Sequence, residues 1–396
     1  METGAEQPRA LHVDEQRTWR GGEQQMFYLA RGLHERSFPT AAVLQPGGPA
    51  VERVRSTGVE VHPVPMHGET DLAAVWRIAR LARAGGYNIL HAHTAHAQSL
   101  IMMAAWLCGA KVVAHRRIEY PVGRGFLGLG KLKYRFGVDA YIAISNRVKE
   151  TLLEAGIPEW RVFVVRSVTN PERFTDVEPP PNLREQLGLP ADGFVVGNVG
   201  ALVGHKDHRT LLEACRIVRD KLPETWVVIV GSGPLEDAIR EKARSMHMDD
   251  RLVMTGFRED VPELIRLFDV FALSSSEEGL CSTLLEVAAS GCPIVATDAG
   301  GVREAVLPDR TGLIVPTKSP RSLAEGILEL ARNRTKAERF ARRGRERVRE
   351  HFTPEVLTEE TLKVYRRVLA GRVGPAHPVG FCPDWAPNGA PDRAPD

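Results

Sequence analysis

From Ala10 to Ile144, short apolar or β-branched runs (ALHV, AAVL, NILH, KVVAH, AYIAI) alternate with stretches whose apolar residues recur at helical spacing, Glu23–Leu33, Leu72–Ala84 and Arg147–Ala155. Short apolar runs bounded by turn residues suit buried strands, and the longer periodic stretches suit amphipathic helices, which predicts a βαβ rhythm. The second half repeats it, with strands expected at Phe194–Val199, Trp226–Val230, Leu252–Thr255, Val270–Leu273 and Ile294–Thr297 and helices at Arg209–Lys221 and Leu235–Met246. Two such alternations predict an α/β protein with two parallel sheets, each covered on both faces. Between them, Val177–Asn182 (VEPPPN) carries three prolines that forbid helix and strand alike and leave a stiff connector. The expected organisation is a first domain over 1–176, a linker over 177–182 and a second domain over 183–353. After a charged helical stretch, Lys336 to Glu350, Thr353 can cap a last helix over 354–371 with Pro354 at its first position and Leu362, Tyr365, Val368 and Leu369 in one apolar stripe. Residues 372–396 contain six prolines and little periodicity, which predicts a disordered tail.

A length of 396 residues agrees with two domains. Lys plus Arg number 52 against 50 Asp plus Glu, and a net charge of +2 is too small to hold a polyanion by bulk electrostatics, so no nucleic-acid partner is expected. The five cysteines, Cys108, Cys215, Cys281, Cys292 and Cys382, are odd in number and form no C-x2-C pair, which argues for a reducing compartment and against structural zinc. The longest apolar run, Leu100 to Ala110, is too short for a membrane span, and METGAEQPRA lacks a secretion-signal layout. A cytoplasmic protein is expected.

In open parallel sheets ligands collect at the carboxyl ends of strands, so the loops that leave a strand and open a helix are the places to search. Gly21-Gly22-Glu23 follows the first strand; two glycines let amides approach an anion at a helix N-terminus, although a bland turn explains them equally well. Gly231-Ser232-Gly233-Pro234 follows WVVIV; with Glu236 where a third glycine would stand it is no dinucleotide fingerprint, leaving a phosphate cradle or simple turn chemistry. In GALVGHKD, Gly200 to Asp207, Lys206 precedes a helix whose macrodipole it opposes, which is unfavourable unless an anion sits there, although a solvated surface lysine is the commoner outcome. The most informative loop is SSSEEGLCSTLLE, Ser274 to Glu286, where Glu278 and Glu286 form E-x7-E; Thr283-x-x-Glu286 also reads as a capping box in a helix's first turn. No Asp-x-Asp occurs, which weakens divalent-cation catalysis, and His91, His93 and His96 could ligate zinc but have no acidic or cysteine partner in sequence. No metal and no cofactor are expected.

Taken together these loops resemble the family-4 retaining glycosyltransferases. The most specific part is Thr255 to Val306, where E-x7-E and Gly-x-Pro-Ile-Val-Ala-Thr fall in register, while GGEQQMFYLARGL, HAHTAH, VVAHRR and AYIAIS match the acceptor half more weakly. The resemblance implies the GT-B architecture, two facing Rossmann-like domains with a C-terminal helix crossing back to the first, and transfer of a sugar from a nucleoside-diphosphate sugar to an acceptor hydroxyl in bacterial cell-surface glycan or glycolipid synthesis. It implies that Lys206 meets the donor phosphates, Glu278 the hydroxyls of the transferred sugar and Glu286 the ribose, with Leu280, Cys281, Ser282 and Thr283 holding the distal phosphate and sugar. Gly233, Gly256, Phe257 and Arg258 would border the nucleobase, Gly22 would approach the phosphates, His115 would contact the sugar, and His93, Arg116 and Arg117 would lie on the acceptor side.

Two departures stand out. Ala201 replaces the arginine usual in a G-R-L motif, and the common Gly-Val-Asp before the linker is replaced around Val168-Thr169-Asn170. The acceptor is open among a glycan, a lipid-linked molecule and a small molecule. Arg116, Arg117, Arg124, Lys131, Lys133 and Arg135, interleaved with Phe126, Leu127 and Tyr134, would suit peripheral contact with an anionic lipid surface at the inner face of a membrane, or form a solvated basic face. A nucleotide-sugar epimerase and a catalytically silent nucleotide-sugar binder are the alternative functions.

Overall fold

The computed structural model describes residues 6–117, 134 and 136–374. Most of the basic segment around Arg124, Lys131, Lys133 and Arg135, the expected tail from residue 375 and Cys382 lie outside the described residues.

Packing divides the chain into two units, with the first break between Glu178 and Pro179, inside VEPPPN; Glu277–Ser290 and the chain from Arg345 are counted with the first unit, although sequence order places Glu277–Ser290 in the second half. The first unit holds a seven-stranded parallel sheet of β1 (Ala10–Asp14), β2 (Thr40–Leu44), β3 (Glu60–Pro63), β4 (Ile89–Ala92), β5 (Lys111–Arg116), β6 (Ala140–Ala143) and β7 (Val162–Val164), in the order β3-β2-β1-β4-β5-β6-β7. Helices α1 (Gly21–Glu35), α2 (Pro49–Arg55), α3 (Leu72–Gly85), α4 (Ala95–Cys108) and α5 (Asn146–Glu154) connect strands in it. The second unit holds a six-stranded sheet of β8 (Phe194–Val199), β9 (Thr225–Val230), β10 (Leu252–Met254), β11 (Val270–Leu273), β12 (Ile294–Thr297) and β13 (Leu313–Val315), in the order β10-β9-β8-β11-β12-β13. Its helices are α6 (Leu183–Gln186), α7 (His208–Lys221), α8 (Glu236–Ser245), α9 (Val261–Ile265), α11 (Val302–Ala305) and α12 (Pro320–Arg332); α10 (Ser282–Ser290) follows β11 in sequence, and α13 (Arg334–His351) and α14 (Pro354–Leu369) end the described chain. In each sheet the strand order reverses once, between β1 and β4 and between β8 and β11, and such switch points open a crevice beyond the strand ends.

The strands form because their runs are apolar on both faces: β2, β4, β6, β11 and β12 are buried throughout. α14 belongs to the first unit. Leu357, Leu362, Tyr365 and Val368 are buried along it, and Gly32 of α1 lets it approach, since a Cβ there would collide with Thr358 Oγ1. Thr353 occupies the N-cap position but its side chain makes no capping bond, so the missing donor of Pro354, not a hydroxyl cap, eases that start.

Candidate functional site

In the first unit the period of two along a strand sets the chemistry. His12 and His91 are paired in register, and His93, Asp14, His115 and Arg117 follow at even spacing on the same side, which lines one face at the carboxyl ends of β1, β4 and β5 with six polar residues. His12, Asp14, His91, His93 and His115 are buried. His91 and His115 stack with centroids 5.5 Å apart and rings 1° from parallel, and Tyr365 Oη lies 2.7 Å from His91 Nδ1. Burial drives His12 down to about 3 and holds His91, His93 and His115 well below the ordinary imidazole range, so the four imidazoles are neutral.

Arg117 organises this layer. Its Nη2 donates to His93 Nδ1 at 2.9 Å and its Nη1 to the carbonyl of Gly22. Burial lowers its pKa to about 10, with Asp14 and Glu23 opposing the shift. Because an arginine can only donate, the proton of neutral His93 resides on Nε2, which donates to His12 Nδ1 at 3.0 Å. His12, His91 and His93 bring ligating nitrogens within 4.8 Å of one another, but in this arrangement both nitrogens of His93 are engaged and the group is a hydrogen-bonded chain, not a ready ligand set. The expected triplet is corrected in membership: His12 joins His91 and His93, and His96 Nδ1 instead faces Glu15 at 3.9 Å. Arg116 points away from His115 and Arg117 by strand alternation and lies 5.8 Å over the Tyr134 ring, so the three acceptor-side candidates divide: His93 meets Arg117 and Arg116 does not join them.

The E-x7-E segment packs in the same unit. A Cβ on Gly279 would collide with the carbonyl oxygen of Arg117 and lie 3.2 Å from Ile144 Cδ1, so only glycine lets this loop reach the end of β5. Glu278 beside it is half-buried, Leu280 and Cys281 are buried, and Ser282 approaches Gly21, whose added Cβ would lie 3.4 Å from its Oγ. α10 begins at Ser282, which places Thr283 second and Glu286 fifth, beyond the first turn; the expected capping box is not formed. Glu286 faces Arg173 and Tyr28 instead, and desolvation raises its carboxyl to about 7 against the pull of Arg173. In place of the usual Gly-Val-Asp, Val168 exchanges two 2.8 Å bonds with the side chain of Gln25 on α1.

In the second unit three loops are tied together by backbone at the carboxyl ends of β8, β9 and β10. Gly200 N bonds Val230 O at 2.9 Å, Leu202 N bonds Ser232 O at 3.0 Å, and Gly231 N bonds Gly256 O at 2.9 Å. This explains the glycines. A Cβ on Gly231 would collide with Gly200 O, and one on Gly233 would come 2.6 Å from Leu202 O. Lys206 folds back over Gly200, its Nζ 3.8 Å from where a Cβ would stand. Its main chain is fixed by Ser274 Oγ, which donates to Lys206 O at 2.8 Å. Lys206 closes a 3-10 turn, Gly204–Lys206, and Asp207, at φ 46°, caps α7 by accepting from Thr210 N at 3.2 Å. The helix N-terminus that Lys206 precedes thus carries a carboxylate of the chain itself, Asp207, whose two oxygens accept from Thr210 N and Thr210 Oγ1. Gly256 adopts φ 69°, Phe257 is exposed, and Arg258 is engaged with Asp260, Nε to Oδ1 at 2.7 Å.

Sequence reasoning missed His12, Asp14, Tyr28, Arg173 and Tyr365. One signal was available: His12 and Asp14 interrupt an otherwise apolar strand at alternate positions. Asp14 Oδ1 accepts from Gln16 N at 2.9 Å, its Oδ2 has no partner among the described residues, and burial raises its pKa to about 7.

The family described as Glycosyltransferase Family 4 matches residues 19–173, and Glycosyl transferases group 1 matches residues 180–347. The lipopolysaccharide core biosynthesis glycosyltransferase LpsE of Rhizobium meliloti is 25% identical over 349 residues, 87% of this chain and 95% of that protein. The UDP-Gal:alpha-D-GlcNAc-diphosphoundecaprenol alpha-1,3-galactosyltransferase of Escherichia coli is 26% identical over 243 residues, 58% of this chain and 63% of that enzyme. The crystal structure of Anabaena HepE in complex with UDP aligns with a TM-score of 0.78 over 90% of this chain and 99% of that one at 20% identity, a likeness of fold. With one family spanning most of the first sheet and the other the second, on a GT-B fold, the chain belongs to glycosyltransferase family 4 with the group 1 glycosyl transferases.

Proposed function

We propose that the protein transfers a sugar from a nucleoside-diphosphate sugar to an acceptor hydroxyl with retention of anomeric configuration and without a required metal, in the synthesis of a bacterial surface glycan such as lipopolysaccharide. Relatives named for lipopolysaccharide core synthesis and for UDP-Gal transfer support the reaction class, and neither the epimerase nor the silent-binder alternative is favoured by them. The observation that carries the reading is the fused set of loops in the second unit, where Lys206 lies over Gly200 beside the Gly231–Gly256 bridge.

In this reading a diphosphate leaves once its growing charge is met by preorganised donors, so positioning and electrostatics do most of the work. Lys206 meets the phosphates, which is the more important because Ala201 supplies no cation. Glu278 orients the sugar hydroxyls, Glu286 accepts from the ribose, and the amides at Leu280–Thr283 hold the distal phosphate. Gly233, Gly256, Phe257 and Arg258 border the base, Gly22 lies toward the phosphates, and His93, His115 and Arg117 lie toward the sugar and acceptor. The acceptor oxygen attacks the anomeric carbon from the face the diphosphate leaves; the bond to the phosphate oxygen breaks, and that oxygen takes the hydroxyl proton.

Thermal unfolding against a panel of uridine, guanosine and adenosine diphosphate sugars tests the donor. A ligand at a hundred times its dissociation constant adds about 2.7 kcal/mol of stability, so the true donor raises the midpoint. No stabilisation by any member of the panel would defeat the proposal.

A further inference from the structure

α3 and α4 bury their inner faces in the usual way: Ala74, Val75, Ile78, Ala79 and Ala82 on one, Ala97, Leu100, Ile101, Ala104 and Ala105 on the other. Their outer faces are not those of an ordinary surface helix. α4, AHAQSLIMMAAWLC, contains no Asp, Glu, Lys or Arg, and from Leu100 to Cys108 it is apolar all round, a pattern expected of a helix enclosed on every side. Yet Trp106 is 88% exposed, and around it Leu72 is 71%, Phe136 62% and Trp76 58% exposed. Trp106, Leu72 and Phe136, with Met103 and Leu107, border a groove of about 750 Å³ whose lining is almost wholly apolar, and Trp76 stands exposed one helical turn beyond Leu72 on α3. Isolated exposed apolar residues are common, but a contiguous groove bordered by exposed Trp106, Phe136 and Leu72 marks a surface that meets an apolar partner.

The charges around the patch say which partner. Arg77, Arg80 and Arg83 lie exposed along α3, and neither helix contributes a carboxylate. Arg80 sits 5.5 Å over the Trp76 ring, and Arg83 reaches the carbonyl of Leu107, so both cations are held at the rim of the apolar area. The carboxylates close by are engaged locally: Asp71 caps α3 through Ala74 N at 3.0 Å, Glu69 accepts from Ser99 Oγ at 2.9 Å, and Asp139, which shares a cavity with Trp106, accepts from Lys111 Nζ at 3.1 Å and from Val112 N at 2.8 Å. A second copy docked on this face by a two-fold axis would bring arginine against arginine with no acid from either helix between them. An anionic lipid surface satisfies both halves of the pattern: tryptophans favour the headgroup–acyl boundary, and arginines favour acidic headgroups.

We propose that the outer faces of α3 and α4, with Phe136, form a docking surface that seats this protein on an anionic lipid bilayer. It is a different surface from the donor loops and does not depend on which sugar is moved. Seated there, the protein would meet an acceptor carried in the membrane.

The test is flotation of the full chain, without nucleotide sugar, on vesicles of phosphatidylcholine alone and of phosphatidylcholine mixed with phosphatidylglycerol. The protein should float with the mixed vesicles and lose that binding as salt rises. Arg77→Gln/Arg80→Gln/Arg83→Gln should weaken partition to mixed vesicles by roughly a hundredfold, about fivefold per arginine near an anionic surface. Trp106→Ala should weaken it by about tenfold or more, and thermal midpoints should stay put because the altered side chains are exposed. A wild-type chain that stays in solution with mixed vesicles, or variants that float as the wild type does, overturns the proposal. So does a dimer in sedimentation velocity that Trp106→Ala dissociates, which would give the patch to a second copy. Because no donor is present, failure here leaves the transfer reaction standing, and failure of the donor panel leaves the membrane surface standing.

Discussion

The phenol of Tyr365, on the last helix, lies 2.7 Å from Nδ1 of His91, 274 residues earlier at the end of β4. Both groups are fully buried, so the bond fastens α14 to the polar layer through its middle member. Tyr365→Phe leaves a buried imidazole nitrogen without its partner, which costs about 1–3 kcal/mol. Urea unfolding of the variant should show that loss with an unchanged m-value; a loss below about 0.5 kcal/mol would mean the bond is not a fastening.

Asp14 makes stability depend on pH in an unusual direction. Its folded pKa is raised to about 7 from 3.8, mainly by burial. A raised pKa contributes stability that is present below the unfolded value and is lost as pH climbs from there through the folded value. Asp14→Asn should therefore match the wild type near the low end of that window and exceed it by about 2–4 kcal/mol above neutrality. Chemical denaturation across that range checks it, and a variant less stable above neutrality would show that ionised Asp14 is held by Arg117 more strongly than burial opposes it.

Gly279 is constrained by space. A side chain there meets the backbone oxygen of Arg117, which cannot swing aside as a flexible side chain would. Gly279→Ala should cost about 1–3 kcal/mol and displace the loop that carries Glu278. Thermal unfolding together with turnover should show both losses. A variant with wild-type midpoint and wild-type rate would mean that the loop and β5 do not meet.

Glu286 titrates where assays are run. With its carboxyl raised to about 7 by burial, the ionised form, which under the proposed function accepts the ribose hydroxyls, gives way to the protonated form as pH falls through neutrality. Nucleotide affinity should fall by several-fold over that step, and Glu286→Gln should flatten the profile. An unaltered profile in the variant would place the titrating group elsewhere.

Much of this molecule is legible in its sequence because buried parallel strands are continuous apolar runs. Phe194–Val199, Val270–Leu273 and Ile294–Thr297 coincide with β8, β11 and β12. β3, β7 and β13 escape notice: Glu60-Val-His-Pro mixes polar residues with a proline at a sheet edge, and the other two are three residues long, so pairing partners more than local pattern make them strands. The loops of the site are legible as motifs, since glycine and acid spacings survive without coordinates. What their glycines are for is not. Gly231 and Gly233 answer to the backbone of Gly200 and Leu202, and Gly279 to Arg117, contacts between distant segments that no local spacing encodes. The histidine layer is hidden for the same reason: His12, His91 and His115 lie on three strands, and only their register unites them.

The central claim is that Lys206 carries the charge of a departing nucleoside diphosphate. It is tested most directly by the rate of nucleoside diphosphate release from the stabilising nucleotide sugar, with a hydroxyl acceptor present, for the wild type and for Lys206→Ala. A charge-assisted bond of about 1.5–3 kcal/mol predicts a ten- to over hundredfold slower release in the variant at an unchanged unfolding midpoint. Equal rates, or a wild-type protein that consumes no donor, would contradict it.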